Sequence, residues 1–189
     1  MIAGLTLHAN RLLLRRWQED DLEPFAALNG DPVVMEHFSG LMTEAQTEAM
    51  IEWMEAHFEE HGYGLWAVEL NLTGDFIGFT GLSVPGFEAS FMPAVEVGWR
   101  LSPQYWESGY ATEASREAMR FGFEVARLEQ IVSFTVPANR RSCRVMERIG
   151  MTHDPADGYD HPTLESGSPL KRHVLYRMTA SRWRESNRH

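Results

Sequence analysis

Chemistry-bearing residues crowd into Gln104-Tyr105-Trp106-Glu107-Ser108-Gly109-Tyr110-Ala111-Thr112, a turn between an apolar stretch and an amphipathic one. A turn that feeds a helix leaves backbone N–H groups unpaired, and the helix dipole makes that end positive. An anion such as a pyrophosphate is held well there. Gly109 lacks a Cβ, so the backbone can come close to a ligand. An ordinary loop would look the same, so the neighbouring groups must decide. Asn139 suits the N-cap of a following helix, with Ser142 at its third position. Arg140, Arg141, Arg144 and Arg148 share that stretch, either as a solvated face or as an attraction for phosphates. Cys143 is the single cysteine, and its spacing to Met146 and Ile149 reads as a buried helix position. The eight histidines show no metal-ligand spacing. His161, in Asp160-His161-Pro162, and His173 are candidates to shape a second ligand's site.

The elements that must position these groups follow from periodicity. Leu5 to Trp17 reads as a strand with a break. Asp20 and Asp21 open a short helix carrying Leu22, Phe25 and Leu28, and Asp31–Pro32 starts a loop through Phe38. Thr43-Glu44-Ala45-Gln46 has the form of a capping box. The helix behind it carries Met50, Ile51, Met54 and Phe58 on one face and stops before Gly62. Strands near residues 65–70 and 75–83 pair as a hairpin around Asn71–Gly74. Val95 to Leu101 is the next strand, ended by Ser102–Pro103. An amphipathic helix spans about Ala111 to Ala126, with Ala111, Ala114, Ala118, Phe121 and Val125 on its apolar face. Ile131–Val136 is a strand, Asn139 to Ile149 a helix with Gly150 just past its end, and Met151–His153 and Arg172–Met178 close the sheet. The order predicts one α/β (α+β) domain over residues 1–189, with a central, mostly antiparallel mixed sheet flanked by helices.

Composition narrows the class. The content of 43% hydrophobic and 23% charged residues is that of a soluble globular protein, with no apolar run of membrane-spanning length and no secretory signal. One cysteine excludes an internal disulfide framework, so a cytoplasmic setting is expected. A net charge of −10 argues against general nucleic-acid binding. The distribution says more. Residues 1–99 carry three Lys or Arg against sixteen Asp or Glu, whereas residues 100–189 carry fourteen against eleven. Two ligands of opposite sign would account for this, and so would solvated helix faces.

Leu101-Ser102-Pro103-Gln104-Tyr105-Trp106 followed by Gly109-Tyr110-Ala111-Thr112-Glu113-Ala114 resembles motif A of the GNAT acetyltransferase superfamily, in wording similar to its ribosomal-protein N-terminal acetyltransferase branch. Gln104 and Gly109 match the motif's first and last places, and Glu107 stands where its first glycine usually is. The likeness extends to Arg11-Leu12-Leu13-Leu14-Arg15, Asp31–Met35, Val95–Trp99, Asn139–Ser142 with Met146–Met151, and His173–Tyr176. It implies a sheet splayed between the family's fourth and fifth strands, here Val95–Leu101 and Ile131–Val136. Acetyl-CoA is the implied cosubstrate. Its pantetheine arm would lie along the backbone of Val97, Gly98, Trp99, Arg100 and Leu101. Its pyrophosphate would meet Gln104, Glu107, Ser108, Gly109, Tyr110, Ala111 and Thr112. Asn139 and Ser142 would touch the cofactor arm, and no metal is implied.

The implied reaction is direct acetyl transfer to a primary amine in a ternary complex. It requires a neutral amine, a stabilised oxyanion and a protonated leaving thiolate. A backbone N–H near Val97 to Trp99 is the oxyanion donor by analogy. Glu96 is the candidate base, acting through water, unless it is spent on an arginine such as Arg11. Strand alternation sets Glu96 and Gly98 on one face, and Val95, Val97 and Trp99 on the other. Many superfamily members protonate the thiolate with a tyrosine on the second-motif helix. This chain has no tyrosine between Tyr110 and Tyr159, which leaves Ser142 as the candidate acid. The acidic first half suggests a cationic acceptor, a protein N-terminus or a small amine, with Phe38, Trp66, Phe79 and Phe91 either lining its pocket or buried as core. A homodimer over an exposed sheet edge is a further expectation. The competing expectation is a CoA-binding regulatory module without catalysis.

Overall fold

The computed structural model describes residues 5–187. The chain runs β1 (Leu7–His8), β2 (Leu12–Arg15), α1 (Leu22–Asn29), α2 (Glu44–His61), β3 (Leu65–Leu70), β4 (Phe76–Ser83) and β5 (Glu96–Leu101). It continues through α3 (Tyr110–Glu124), β6 (Gln130–Thr135), α4 (Arg140–Arg148), β7 (Thr152–His153), β8 (Tyr159–Asp160), β9 (Arg172–Thr179) and α5 (Ala180–Ser186). The strands lie in the order β1-β2-β3-β4-β5-β6-β9-β7, with β8 pairing β9 outside that path. Every neighbouring pair is antiparallel except β5 and β6. The fold class expected from the sequence is the one observed.

Helices cover both faces. On one side, α1 and α2 enclose Trp17, Phe25, Met54, Leu65 and Phe79. On the other, α3 and α4 bury Ala114, Ala118, Phe121, Met146 and Ile149 against Leu14, Val68, Ile77 and Val97. Each fully buried Leu, Ile, Phe or Met removes about 1.5–3 kcal/mol of apolar surface cost, so the sheet cannot easily separate from either layer. Local signals place the ends. Thr43 and Gln46 form the capping box reciprocally, and Gly62 ends α2 in the left-handed region at φ 73°. Asn139 caps α4 through its side chain, and Gly150 follows that helix at φ 87°.

The structure departs from expectation in three places. Val125 is 53% exposed rather than buried, because α3 stops at Glu124 and the chain turns away at Arg127, φ 60°. The stretch between His153 and Arg172, given no element from the sequence, contains a short 3-10 turn at Pro155–Asp157 and the two residues of β8. The chain also closes with α5, whose Trp183 stacks on Phe123 at 5.4 Å and donates to Glu124 Oε1 at 3.2 Å. Seven residues leave too little periodicity for α5 to be recognised from the sequence.

Candidate active site

The site begins where two parallel strands fail to stay together. β5 and β6 meet at one bridge, Glu96 opposite Val132, where the Val132 N–H donates to the Val95 carbonyl at 2.9 Å. Beyond it they diverge into a fork. Backbone direction alternates along a strand. The Val95 carbonyl faces β6, so the backbone groups of Val97, Trp99 and Leu101 face the same way. The side bonded to β4 belongs to the residues between them, and the Ser102 N–H on Ile77 O at 2.9 Å fits that register. Trp106 Nε1 donates to the Leu101 carbonyl at 2.7 Å. The Trp99 N–H and carbonyl, past the single bridge, point into the fork where β6 no longer reaches them. Side chains alternate oppositely to the cleft and the core: Val95, Val97, Trp99 and Leu101 pack with the α3 layer, while Glu96, Gly98 and Arg100 line the α1 side of the cleft.

The cleft has two lobes. The first, about 460 Å³, is bounded by the turn before α3 and by α4. Gly109 is the N-cap of α3 at φ 82°, and no side chain caps that helix start. The first-turn N–H groups are therefore available to an anion. Glu107 also has a left-handed backbone, φ 62°, and its side chain is exposed. The chain thus keeps a glycine-like conformation where the motif usually has glycine, and turns the carboxylate to solvent. Arg11 holds the turn from below. Its Nη1 donates to Ser108 O at 3.0 Å, its Nε bonds Glu113 Oε2 at 2.7 Å, and its guanidinium covers the Tyr110 ring at 4.4 Å. Across the lobe stand Arg141, Arg144 and Arg148, with Arg141 4.4 Å over the Trp106 ring. Tyr110, Ala111 and Thr112 line this lobe with Glu107 and Gly109; Gln104 and Ser108 are exposed at its margin.

The second lobe, about 330 Å³, lies towards the start of β5. Glu96, Phe79, Phe134, His161 and His173 line it. Glu96 has no ion-pair or hydrogen-bond partner among the described residues, and burial pushes its pKa up to about 8. The alternative pairing with Arg11 does not form, since Arg11 is bound to Glu113. Burial likewise lowers the pKa of His161 and His173, whose rings lie 5.1 Å apart, so both favour the neutral form. The Tyr159 hydroxyl is buried without a hydrogen-bond partner, and its pKa is raised by burial and by the charge of Glu96.

The lobes join at Trp99, Asn139 and Ser142, which line both. Asn139 Oδ1 accepts from the Ser142 N–H at 3.2 Å, and its Nδ2 donates to Thr135 Oγ1 at 3.1 Å. Its side chain is therefore the helix cap the sequence suggested. Ser142 is half-buried at the junction. Cys143 beside it is buried with Met146 and Ile149, and burial raises its pKa, so it stays a thiol.

The first half does supply part of the second lobe's wall, through His37, Phe38, Leu65, Phe79 and Ser83, but not its acidic charge. Glu96 is the one carboxylate among that lobe's lining residues. Asp21 and Glu69 bind Arg15, and Glu55 and Glu59 bind Arg16, while other carboxylates of α2 lie on its exposed face. Of the aromatics singled out from the sequence, Phe38 and Phe79 line the lobe, Phe91 packs 4.9 Å from Tyr159, and Trp66 is core. Sequence reasoning missed Phe134 and Tyr159, and it did not place the Arg100 side chain in the cleft wall. No spacing signal links them to Glu96, because β6, β8 and the end of β5 meet only in the folded sheet.

The fork, the uncapped helix start and the arginines opposite it fit a ligand with an extended arm and a pyrophosphate. A model of the acetyltransferase (GNAT) domain matches residues 11–152. The chain belongs to the GNAT acetyltransferase family. It is 33% identical over 189 aligned residues to the FsC-acetyl coenzyme A-N(2)-transacetylase of Aspergillus fumigatus, covering 94% of this chain and 77% of that protein. A GNAT-family acetyltransferase structure from Bacillus anthracis superposes with a TM-score of 0.76 at 26% identity, over 94% of this chain and 99% of the other. The fold is shared at 16% identity, TM-score 0.71, with spermidine N-acetyltransferase from Vibrio cholerae in complex with CoA and spermine, over 92% of this chain and 98% of that one. The chain is an acetyl-CoA-dependent N-acetyltransferase. The splayed pair that the resemblance implied is β5 and β6.

Proposed function

We propose that this acetyltransferase moves the acetyl group of acetyl-CoA directly to a primary amine held in the second lobe. The observation that carries the reading is the junction: an unbridged backbone N–H at Trp99, the Ser142 hydroxyl, and an unpaired Glu96 all border one continuous cleft. In this reading the first lobe takes the cosubstrate. Its pyrophosphate sits on the α3 N-terminus at Glu107 to Thr112, with Arg141, Arg144 and Arg148 opposite. Its arm runs along the β5 edge from Leu101 to Val97. The amine arrives protonated, as a chain terminus or a small cationic compound, and loses its proton through water to Glu96. A pKa near 8 suits a base at neutral pH. The nitrogen attacks the thioester carbonyl, the Trp99 N–H stabilises the oxyanion, and the C–S bond breaks as Ser142 gives its proton to the thiolate and takes the second proton of the attacking nitrogen.

The ribosomal-protein branch is a finer reading, supported by the wording of the motif from Leu101 to Ala114. The regulatory reading is not favoured, because Glu107 holds the left-handed backbone, φ 62°, that a glycine there would adopt freely. CoA release measured over a panel of primary amines tests the proposal. Turnover that is lost in Glu96→Gln, with acetyl-CoA affinity retained, is the expected result. Full turnover in that variant removes Glu96 from the mechanism.

A further inference from the structure

Arg100 is the feature of the cleft that acetyl transfer to a simple amine leaves unexplained. It follows Glu96 by four residues on the same face of β5, is only 8% exposed, and lines the cleft. Its Nη1 donates to Asn29 Oδ1 at 2.5 Å, and its guanidinium covers Phe38 at 4.3 Å and Phe79 at 5.4 Å. No carboxylate lies within ion-pair distance among the described residues, and its buried Nε has no hydrogen-bond partner. Burial lowers its pKa to about 10, which still leaves it a cation at neutral pH. A buried charge answered by one neutral amide, the weak acceptor Met42 Sδ at 3.9 Å and two ring faces is costly, and such charges are ordinarily paired. Arginine's planar fork is matched to carboxylates and other oxyanions.

The space beside it is open. Gly98 lies between Glu96 and Arg100, and a Cβ built there would meet only Glu96 Oε1, at 3.8 Å. The two charged residues stand about 13 Å apart at Cα, at the usual strand rise. A molecule of a few bonds can therefore occupy the floor between them.

We infer that the acceptor is an amine that also bears an acidic group, its amine towards Glu96 and its carboxylate on Arg100. This rests on the proposed use of the second lobe for the acceptor. Arg100 is then a specificity-determining residue. It selects zwitterionic acceptors over plain diamines, which narrows the cationic acceptor that the acidic first half suggested.

The test compares ω-amino acids of increasing chain length with their carboxamides, and peptides beginning with Asp or Glu with those beginning with Asn or Gln. The expected result is a preference of about 10- to 100-fold in kcat/KM for the acid over its amide at the best length, the range of one charged hydrogen bond. The peptide arm reports whether the acid belongs to a small molecule or a chain end. Arg100→Met should abolish the preference between acid and amide, and Arg100→Lys should restore part of it. Equal rates for acid and amide in the unaltered enzyme overturn the inference, whether or not the variants fold. So does an Arg100→Met protein that loses acetyl-CoA affinity but keeps the preference. Calorimetry of the same pairs with the CoA complex separates the two readings. Selective binding of the acid without turnover upholds Arg100 and defeats the proposed chemistry, whereas no selectivity in binding or rate defeats the Arg100 inference alone.

Discussion

The two lobes of the cleft are built on different physics. The first is a backbone device: a left-handed glycine, an uncapped helix start and a row of arginines within nine residues of each other on α4. Each part is local, and each acts through geometry that a short peptide segment already specifies. The second lobe is assembled from β4, β5, β6, the loop beyond β8 and the start of β9. Its decisive property is that two titratable groups, Glu96 and Arg100, are buried with no ion-pair partner among the described residues, which holds only once those segments pack together. The first lobe is thus suited to a ligand common to the family, and the second to one particular acceptor.

Substitutions should divide along that line. The largest effect is expected at Glu96→Gln, with kcat/KM for the amine falling about 100- to 10,000-fold, the range of general-base catalysis, and KM for acetyl-CoA little changed. The unaltered enzyme should show kcat/KM rising with pH to a plateau above about 8, where Glu96 is ionised, and the rise should vanish in the variant. A pH profile that survives the substitution assigns the base elsewhere. Gly109→Val should come next. A β-branched residue at φ 82° is strained, so acetyl-CoA affinity should fall about 10- to 100-fold while discrimination among amines is untouched. Equilibrium binding checks this, and an unchanged Kd would remove the pyrophosphate from the turn. Ser142→Ala should lower kcat about tenfold or more without weakening acetyl-CoA, and full kcat would leave the thiolate to water.

Smaller effects sharpen the contrast. Arg144→Gln should weaken acetyl-CoA only about two- to fivefold, less so at high salt, because exposed ion pairs are screened. A salt-independent loss would mean that the arginine packs rather than attracts. Glu96 also gives a test in stability. Its pKa is raised from 4.5 unperturbed to about 8 in the fold, so the native state holds a proton that the unfolded chain releases. Stability must then decline as pH rises from about 4.5 to 8 and level off above that. Thermal unfolding at pH 9 should show Glu96→Gln more stable relative to the unaltered protein than at pH 5, and an equal difference at both would mean Glu96 is not desolvated.

Legibility followed the same division. The capping box at Thr43, the end of α2 at Gly62, the cap at Asn139 and the hairpin over residues 65–83 were readable because each is decided by a few adjacent residues. Val125 was misread because helical periodicity says which face is apolar but not where the chain leaves the helix. Arg11 was assigned a possible partner on the wrong strand. Its real partner, Glu113, lies 102 residues away, and nothing local distinguishes one distant carboxylate from another. The acidic first half looked like an acceptor surface because charge counts do not record which carboxylates are already paired.

By itself the sequence determined the family, the order of elements, the glycine turn before α3 and the capped helix that carries Ser142, since spacing and backbone preference act over a few residues. Only the tertiary structure decided that β5 and β6 part after a single bridge and that, among the described residues, Glu96 stands unpaired and Arg100 is buried with no carboxylate to answer it. Those are statements about solvent exclusion and about which distant groups meet. They depend on how the two helical layers close over the sheet rather than on any one segment.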